Sequence, residues 1–244
     1  LRLIGALGLF ILLASSGCGG ATGGGDSNDQ ATVFAASSLT KVFPKIEPNA
    51  TYNFAGSDDL ATQLQQGAPA DVFAAASPKY PDRLYADGMV DKPDVFATNK
   101  LVLIVPKGNP AGIHSVDDLR NKDVKLVIGA EGVPIGDYTR TVLDNMGATD
   151  VLDQVVSEED DVKGVVGKVA LGEADAGFVY VTDVKPVADK VTAIELPAAA
   201  QAVVEYEIAV VENAPHPRAA HAFVERVLGD DGRSALSEAG FGLP

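Results

Sequence analysis

Four places in this chain set a small or hydroxyl-bearing residue between an apolar run and a helix-period segment: Ser37-Ser38, Gly56-Ser57, Ile135 to Asp137, and Asp161-Val162. The chemistry open to such junctions is anion binding. The first N–H groups of a helix have no intrahelical acceptor and lie at the positive end of its dipole, so several helix starts turned to one crevice hold an anion without Lys or Arg. A serine at one such start is favoured as a helix cap whether or not a ligand is near. Two serines at strand ends that face the same crevice say more, because open α/β sheets bind their ligands there.

Other chemistries find less support. The three histidines, His114, His216 and His221, fall in loop or surface-helix contexts, and Gly56-Ser57-Asp58 lacks the second glycine of a GxSxG nucleophile elbow. No nucleophile and base pair emerges, so no enzyme activity is expected. The glycines of GAEGVPIG (129–136) have the wrong spacing for a dinucleotide fingerprint, and no GxxxxGK[ST] is present. The run Glu158-Glu159-Asp160-Asp161 invites a divalent cation, yet before a helix it reads better as a solvated first turn that complements the dipole. No cofactor and no directly bound cation is expected.

The net charge of −15, with no cluster of Lys or Arg, argues against a nucleic-acid partner. It also repels small anions, so an anionic ligand requires neutral, short-range donors in a shielded cleft. The single cysteine, Cys18, rules out an intramolecular disulfide. Arg2 followed by LIGALGLFILLA (3–14) and then small residues up to Gly17-Cys18 reads as an export signal over 1–17, with Cys18 as the lipidated residue. Ser15 stands where lipoprotein signals usually carry Leu. GGATGGGDSNDQ (19–30) has nothing to bury and, with Cys18, reads as a flexible tether over 18–30.

The elements that must position these junctions follow from periodicity. ATVFAAS (31–37), ATYNFAG (50–56) and ADVFAAA (70–76) read as strands, each followed by helical pattern, with Gly67 closing DDLATQLQQG and Ser77-Pro78 opening the helix that runs to about 87. LVLIVPKG (101–108) is a strongly apolar strand, and Ser115 to Asp118 open a short helix. A second series follows, of strands over 124–130, 174–181 and 191–196, with helices over 136–147 and 161–172. EYEIAVVE (205–212) repeats the look of the 101–108 strand, and two helices, about 217–228 and 232–239, finish the chain. Two α/β series linked by two separated apolar strands imply two lobes with two crossings and a ligand cleft between them. The expected division is 31–100 with 205–244 as the first lobe and 101–204 as the second, hinged near Asn99 to Leu101 and near Glu205.

TVFAASSL (32–39), FAGSDDLATQLQQGAPADVFAAAS (54–77) and AGFVYVTDV (176–184) resemble the molybdate-binding proteins of ABC transporters, over nearly all of 31–244. The resemblance implies the type II periplasmic-binding-protein fold, each lobe a mixed, mostly parallel sheet flanked by helices. It implies an extracytoplasmic protein, anchored to the outer face of the membrane through its lipid and working as a monomer with a permease partner. Its ligand would be molybdate or tungstate, with sulfate, phosphate or another small oxyanion as the alternative. Carried over by position, the hydroxyl ligands fall on Ser38 and Ser57, the backbone donors on Ile135 and Val162, and the phenolic donor on Tyr180. Asp58 and Asp59 depart from the family pattern, since carboxylates beside a dianion oppose it; Asp58 is read as capping its helix from the outer face, with the alternative that it accepts a proton from a ligand. Molybdate, tungstate and sulfate are fully deprotonated at neutral pH and want only donors, whereas hydrogen phosphate also needs an acceptor.

Overall fold

The computed structural model describes residues 30–120 and 123–244. The export signal, the tether and Cys18 therefore lie outside the described residues, apart from Gln30. The chain builds four strands of a first sheet, β1 (Thr32–Ala36), β2 (Thr51–Ala55), β3 (Val72–Ala75) and β4 (Asp94–Asn99). It crosses at Lys100 into a second sheet made of β5 (Leu101–Pro106), β6 (Leu126–Gly129), β7 (Val155–Glu159), β8 (Ala176–Tyr180) and β9 (Val191–Glu195), then returns to the first as β10 (Val204–Val210). The strand orders are β2-β1-β3-β10-β4 and β7-β6-β8-β5-β9. In each sheet one strand runs against the others: β10 is antiparallel to β3 and β4, and β5 is antiparallel to β8 and β9. These two reversed strands are the ones the sequence marks as apolar links between its two series.

The helices are α1 (Phe43–Ile46), α2 (Ser57–Gln65), α3 (Lys79–Ala86), α4 (Pro134–Asn145), α5 (Val162–Ala170), α6 (Val181–Val184), α7 (Pro217–Leu228) and α8 (Asp230–Ala239). Local chemistry sets their ends. Gly67 takes φ +85°, and its N–H with that of Ala68 reaches back to Leu64 and Gln63, closing α2. Ser77 Oγ accepts the Lys79 N–H at 3.2 Å, so it caps α3 although regular helix begins one residue beyond Pro78. Pro134 opens α4, where its missing N–H has no helical acceptor to lose. Among the described residues no helix is long and apolar enough to cross a membrane.

Two strands are absent from the sequence reading. DVFATN forms β4, and VVSEE forms β7. The second corrects the reading of the acidic run: Glu158 and Glu159 end a strand, and only Asp161 serves the helix, as N-cap of α5 through Oδ1 to the Gly164 N–H at 2.9 Å. β7 is a half-exposed edge strand, and its charged positions hide the pattern. β4 carries an irregularity too. Tyr206 pairs with Ala97 and Glu207 with Val95, so Phe96 is an extra residue that bends the edge. Rings of Phe43, Phe96 and Phe223 pack tilted or edge-on at 5.4 and 5.7 Å beneath the first sheet.

Candidate functional site

The parallel strands β1, β2, β3, β6, β7 and β8 all end at one place, between the two sheets. Their C-terminal residues and the turns after them line one small cavity. The first sheet contributes Ser38 in a 3₁₀ turn after β1, Ser57 at the first position of α2, and Ala76 after β3. The second contributes Ile135 at the start of α4, Val162 at the start of α5, and Tyr180 at the end of β8. The structure thus brings together all five residues that the sequence singled out, from five separate segments.

Each presents a donor. Ser57, 1% exposed, accepts the Ala76 N–H on its Oγ at 3.1 Å, which leaves its own hydrogen to give. Ser38 Oγ lies 3.0 Å from the Tyr206 hydroxyl. Ile135 and Val162 lie in the first turns of their helices, where backbone N–H groups lack intrahelical acceptors. Tyr180 is 1% exposed, and its hydroxyl has no hydrogen-bond partner among the described residues. Burial pushes its pKa well up, helped by the nearby Tyr206, so the phenol keeps its proton. A buried phenol without a partner is costly unless something completes it.

Acceptors are scarce. Asp161 is the one carboxylate residue in the lining, and its Oδ1 is engaged by Gly164. Asp58 does not line the cavity, but neither does it turn outward as a cap: its Oδ1 is buried without a partner beside Gly56. Burial is the main cause that raises its pKa, with Asp59 and Asp160 adding to it. The set suits an anion that wants hydrogen bonds and offers no proton in return. It does not suit a cation, and among the described residues no group of His, Cys, Asp and Glu is placed to hold a metal ion.

Contacts between the two sheets close the cavity. Gly56 faces the Asp160 carbonyl so closely that a Cβ there would collide with it. Lys79 Nζ pairs with Asp137 Oδ2 at 2.9 Å, the Tyr80 hydroxyl donates to the Gly132 carbonyl, and Asn99 Nδ2 donates to Thr182 Oγ1 at 2.9 Å. A larger open groove meets the cavity at Ser38 and is lined by Lys41, Lys45, Lys163 and Lys185. Lys163 is held by Asp183 at 2.5 Å and Lys185 by the Glu238 carbonyl at 3.1 Å, while Lys41 and Lys45 are exposed and enter no ion pair among the described residues. An acidic molecule thus carries a local positive approach to its cavity.

Sequence reasoning missed Tyr206 and Asn99, which stand behind Ser38. A signal existed: Tyr206 falls on the same face of its strand as Ile208 and Val210, and a phenol on an inward apolar face needs a partner for its hydroxyl.

Residues 31–242 match the family described as bacterial extracellular solute-binding protein. The chain is 41% identical over 222 residues to the molybdate-binding protein ModA of Mycobacterium tuberculosis (strain ATCC 25618 / H37Rv), covering 87% of this chain and 84% of that protein. It is similar to the solved substrate-binding domain of a putative molybdenum ABC transporter from Clostridium difficile, at 30% identity and a TM-score of 0.65, over 88% of this chain and 99% of that one. The periplasmic molybdate-binding protein of Azotobacter vinelandii shares the fold, with a TM-score of 0.77 and 23% identity over 88% of this chain and 100% of that one.

Proposed function

Because this chain belongs to the bacterial extracellular solute-binding proteins, we propose that its closed cavity captures molybdate, with tungstate as a near-equivalent ligand, for delivery to the permease of an ABC importer. The observation that carries this reading is the Tyr180 hydroxyl, buried without a partner among the described residues in a cavity whose one carboxylate, Asp161, is engaged as the N-cap of α5. A fully deprotonated tetrahedral dianion satisfies that phenol together with the hydroxyls of Ser38 and Ser57 and the N–H groups of Ile135 and Val162. The 41% identical relative is named for molybdate binding.

Residues 31–100 with 205–244 act as one lobe and 101–204 as the other, bending near Asn99 to Leu101 and near Glu205. Closure buries the ligand and strengthens each hydrogen bond in a lower local dielectric. The family acts outside the cytoplasm, binding and handing over solutes rather than transforming them. Lipidation of Cys18, after removal of 1–17, holds the monomer to the outer face of the membrane on its 18–30 tether.

The test is a thermal-shift panel of molybdate, tungstate, sulfate, phosphate and chromate, followed by calorimetry. A ligand that binds only the native state raises the melting temperature with its affinity. Molybdate and tungstate are expected to give the largest shifts. A larger shift from sulfate or phosphate transfers the site to that anion, and no shift from any of them overturns the reading.

A further inference from the structure

We propose that Asn99 and Tyr206 are positioning residues that fix Ser38 as a hydrogen-bond donor toward the cavity, and so set the site against oxyanions that carry a proton. This rests on the oxyanion reading of the cavity and adds to it the origin of its selectivity.

The direction of the relay follows from its fixed end. The Lys100 backbone N–H donates to Asn99 Oδ1 at 2.9 Å, which settles which way the Asn99 amide faces. Its Nδ2 therefore points at Thr182 Oγ1, 2.9 Å away, and at the Tyr206 hydroxyl oxygen, 3.4 Å away. An amide nitrogen only donates. Tyr206 is fully buried, with the rings of Phe96, Tyr180 and Phe241 edge-on around it at 6.0, 5.8 and 5.3 Å. Among the described residues its hydroxyl has one other hydrogen-bond partner, Ser38 Oγ at 3.0 Å. If Ser38 donated to Tyr206, the phenolic hydrogen would be left without an acceptor among aromatic rings. The satisfied arrangement runs from Lys100 through Asn99 and Tyr206 to Ser38, and the Ser38 hydrogen is left for the cavity.

A deprotonated oxyanion accepts that hydrogen. To accept a proton from hydrogen phosphate instead, Ser38 must turn its hydrogen away, and no acceptor awaits it. Ser57 is set in the same sense by the Ala76 N–H.

The relay can be reversed with one near-isosteric change. In Asn99→Asp the carboxylate accepts from Tyr206, Tyr206 accepts from Ser38, and Ser38 presents a lone pair to the cavity. The experiment is calorimetry at pH 8, where molybdate, sulfate and hydrogen phosphate are all dianions and the added negative charge affects them alike. Titration of molybdate against excess phosphate covers weak phosphate binding. The expected result is that Asn99→Asp shifts the phosphate-to-molybdate affinity ratio by about tenfold or more toward phosphate. Tyr206→Phe, which breaks the relay without reversing it, is expected to weaken molybdate without that shift. In a Ser38→Ala background Asn99→Asp is expected to leave the ratio unchanged. A folded Asn99→Asp variant with the wild-type ratio, or one whose shift persists without the Ser38 hydroxyl, overturns the relay. Wild-type protein that binds none of the three anions overturns the oxyanion reading instead. Should Asn99→Asp fail to fold, Asn99→Leu decides the matter: it removes the Asn99 donor, and an unchanged molybdate affinity overturns the relay.

Discussion

Ser57 Oγ, just after β2, accepts the backbone N–H of Ala76, 3.1 Å away just past the end of β3, so one hydroxyl both ties two strand ends together across β1 and faces the cavity with its hydrogen. Ser57→Ala is therefore expected to act twice. It removes a donor from the ligand, weakening molybdate by about 1–3 kcal/mol, and it strands the Ala76 N–H, lowering stability by about 1 kcal/mol. Calorimetry and denaturant unfolding separate the two.

Tyr180→Phe is expected to move affinity and stability in opposite directions. The phenol is buried without a partner among the described residues, so its removal relieves about 1 kcal/mol of strain on the unliganded fold while costing the ligand about 1–3 kcal/mol. The check is a melting temperature that rises without molybdate yet responds less to it.

Gly56 has ordinary negative φ of −59°, so its role is space rather than backbone freedom. Gly56→Ala places a methyl against the Asp160 carbonyl of the opposite sheet and props the cleft open. Molybdate affinity is expected to fall at least about tenfold, with little change in unliganded stability, because the clash is relieved by opening rather than unfolding. Small-angle scattering with and without molybdate should show a reduced compaction.

Lys41 and Lys45 flank the approach to Ser38 without touching the cavity. Neutralising both as Gln is expected to slow molybdate association several-fold at low salt, leaving dissociation nearly unchanged. Stopped-flow kinetics at two ionic strengths test this, since the difference from wild type should shrink as salt rises.

Glu207 lies on the face of β10 opposite Tyr206, 8% exposed, with one carboxylate oxygen unpartnered. Burial, and then Asp82, Glu205 and Asp94, push its pKa from 4.5 up to about 7. The fold therefore favours the protonated form, and its contribution is present below about pH 4.5 and lost as pH rises through about 7. Glu207→Gln is expected to gain about 1–3 kcal/mol over wild type between pH 5 and pH 8. Parallel unfolding curves of the two proteins at all pH values would refute this.

Much of the fold was legible because its signals are local. Apolar β-branched runs of strand length recur, and the ends of α2 and α3 carry glycine and serine where the backbone needs them. The strands β4 and β7 were not legible, since each is an edge strand of its sheet with an exposed charged position. Asp58 was misjudged for a related reason. Its surroundings include the Gly56 and Asp160 region, brought near only when the sheets face each other.

By itself the sequence determined which residue types end the strands: hydroxyls at Ser38 and Ser57, bare backbone at Ile135 and Val162, and a phenol at Tyr180. Those are donors by their covalent chemistry, whatever the fold does. Only the tertiary structure decided that they meet, that β10 returns to set Tyr206 behind Ser38, and that Asn99 at the crossing aims it. A hydroxyl can give or take a hydrogen bond, and which it does depends on neighbours that in this chain lie 168 residues apart.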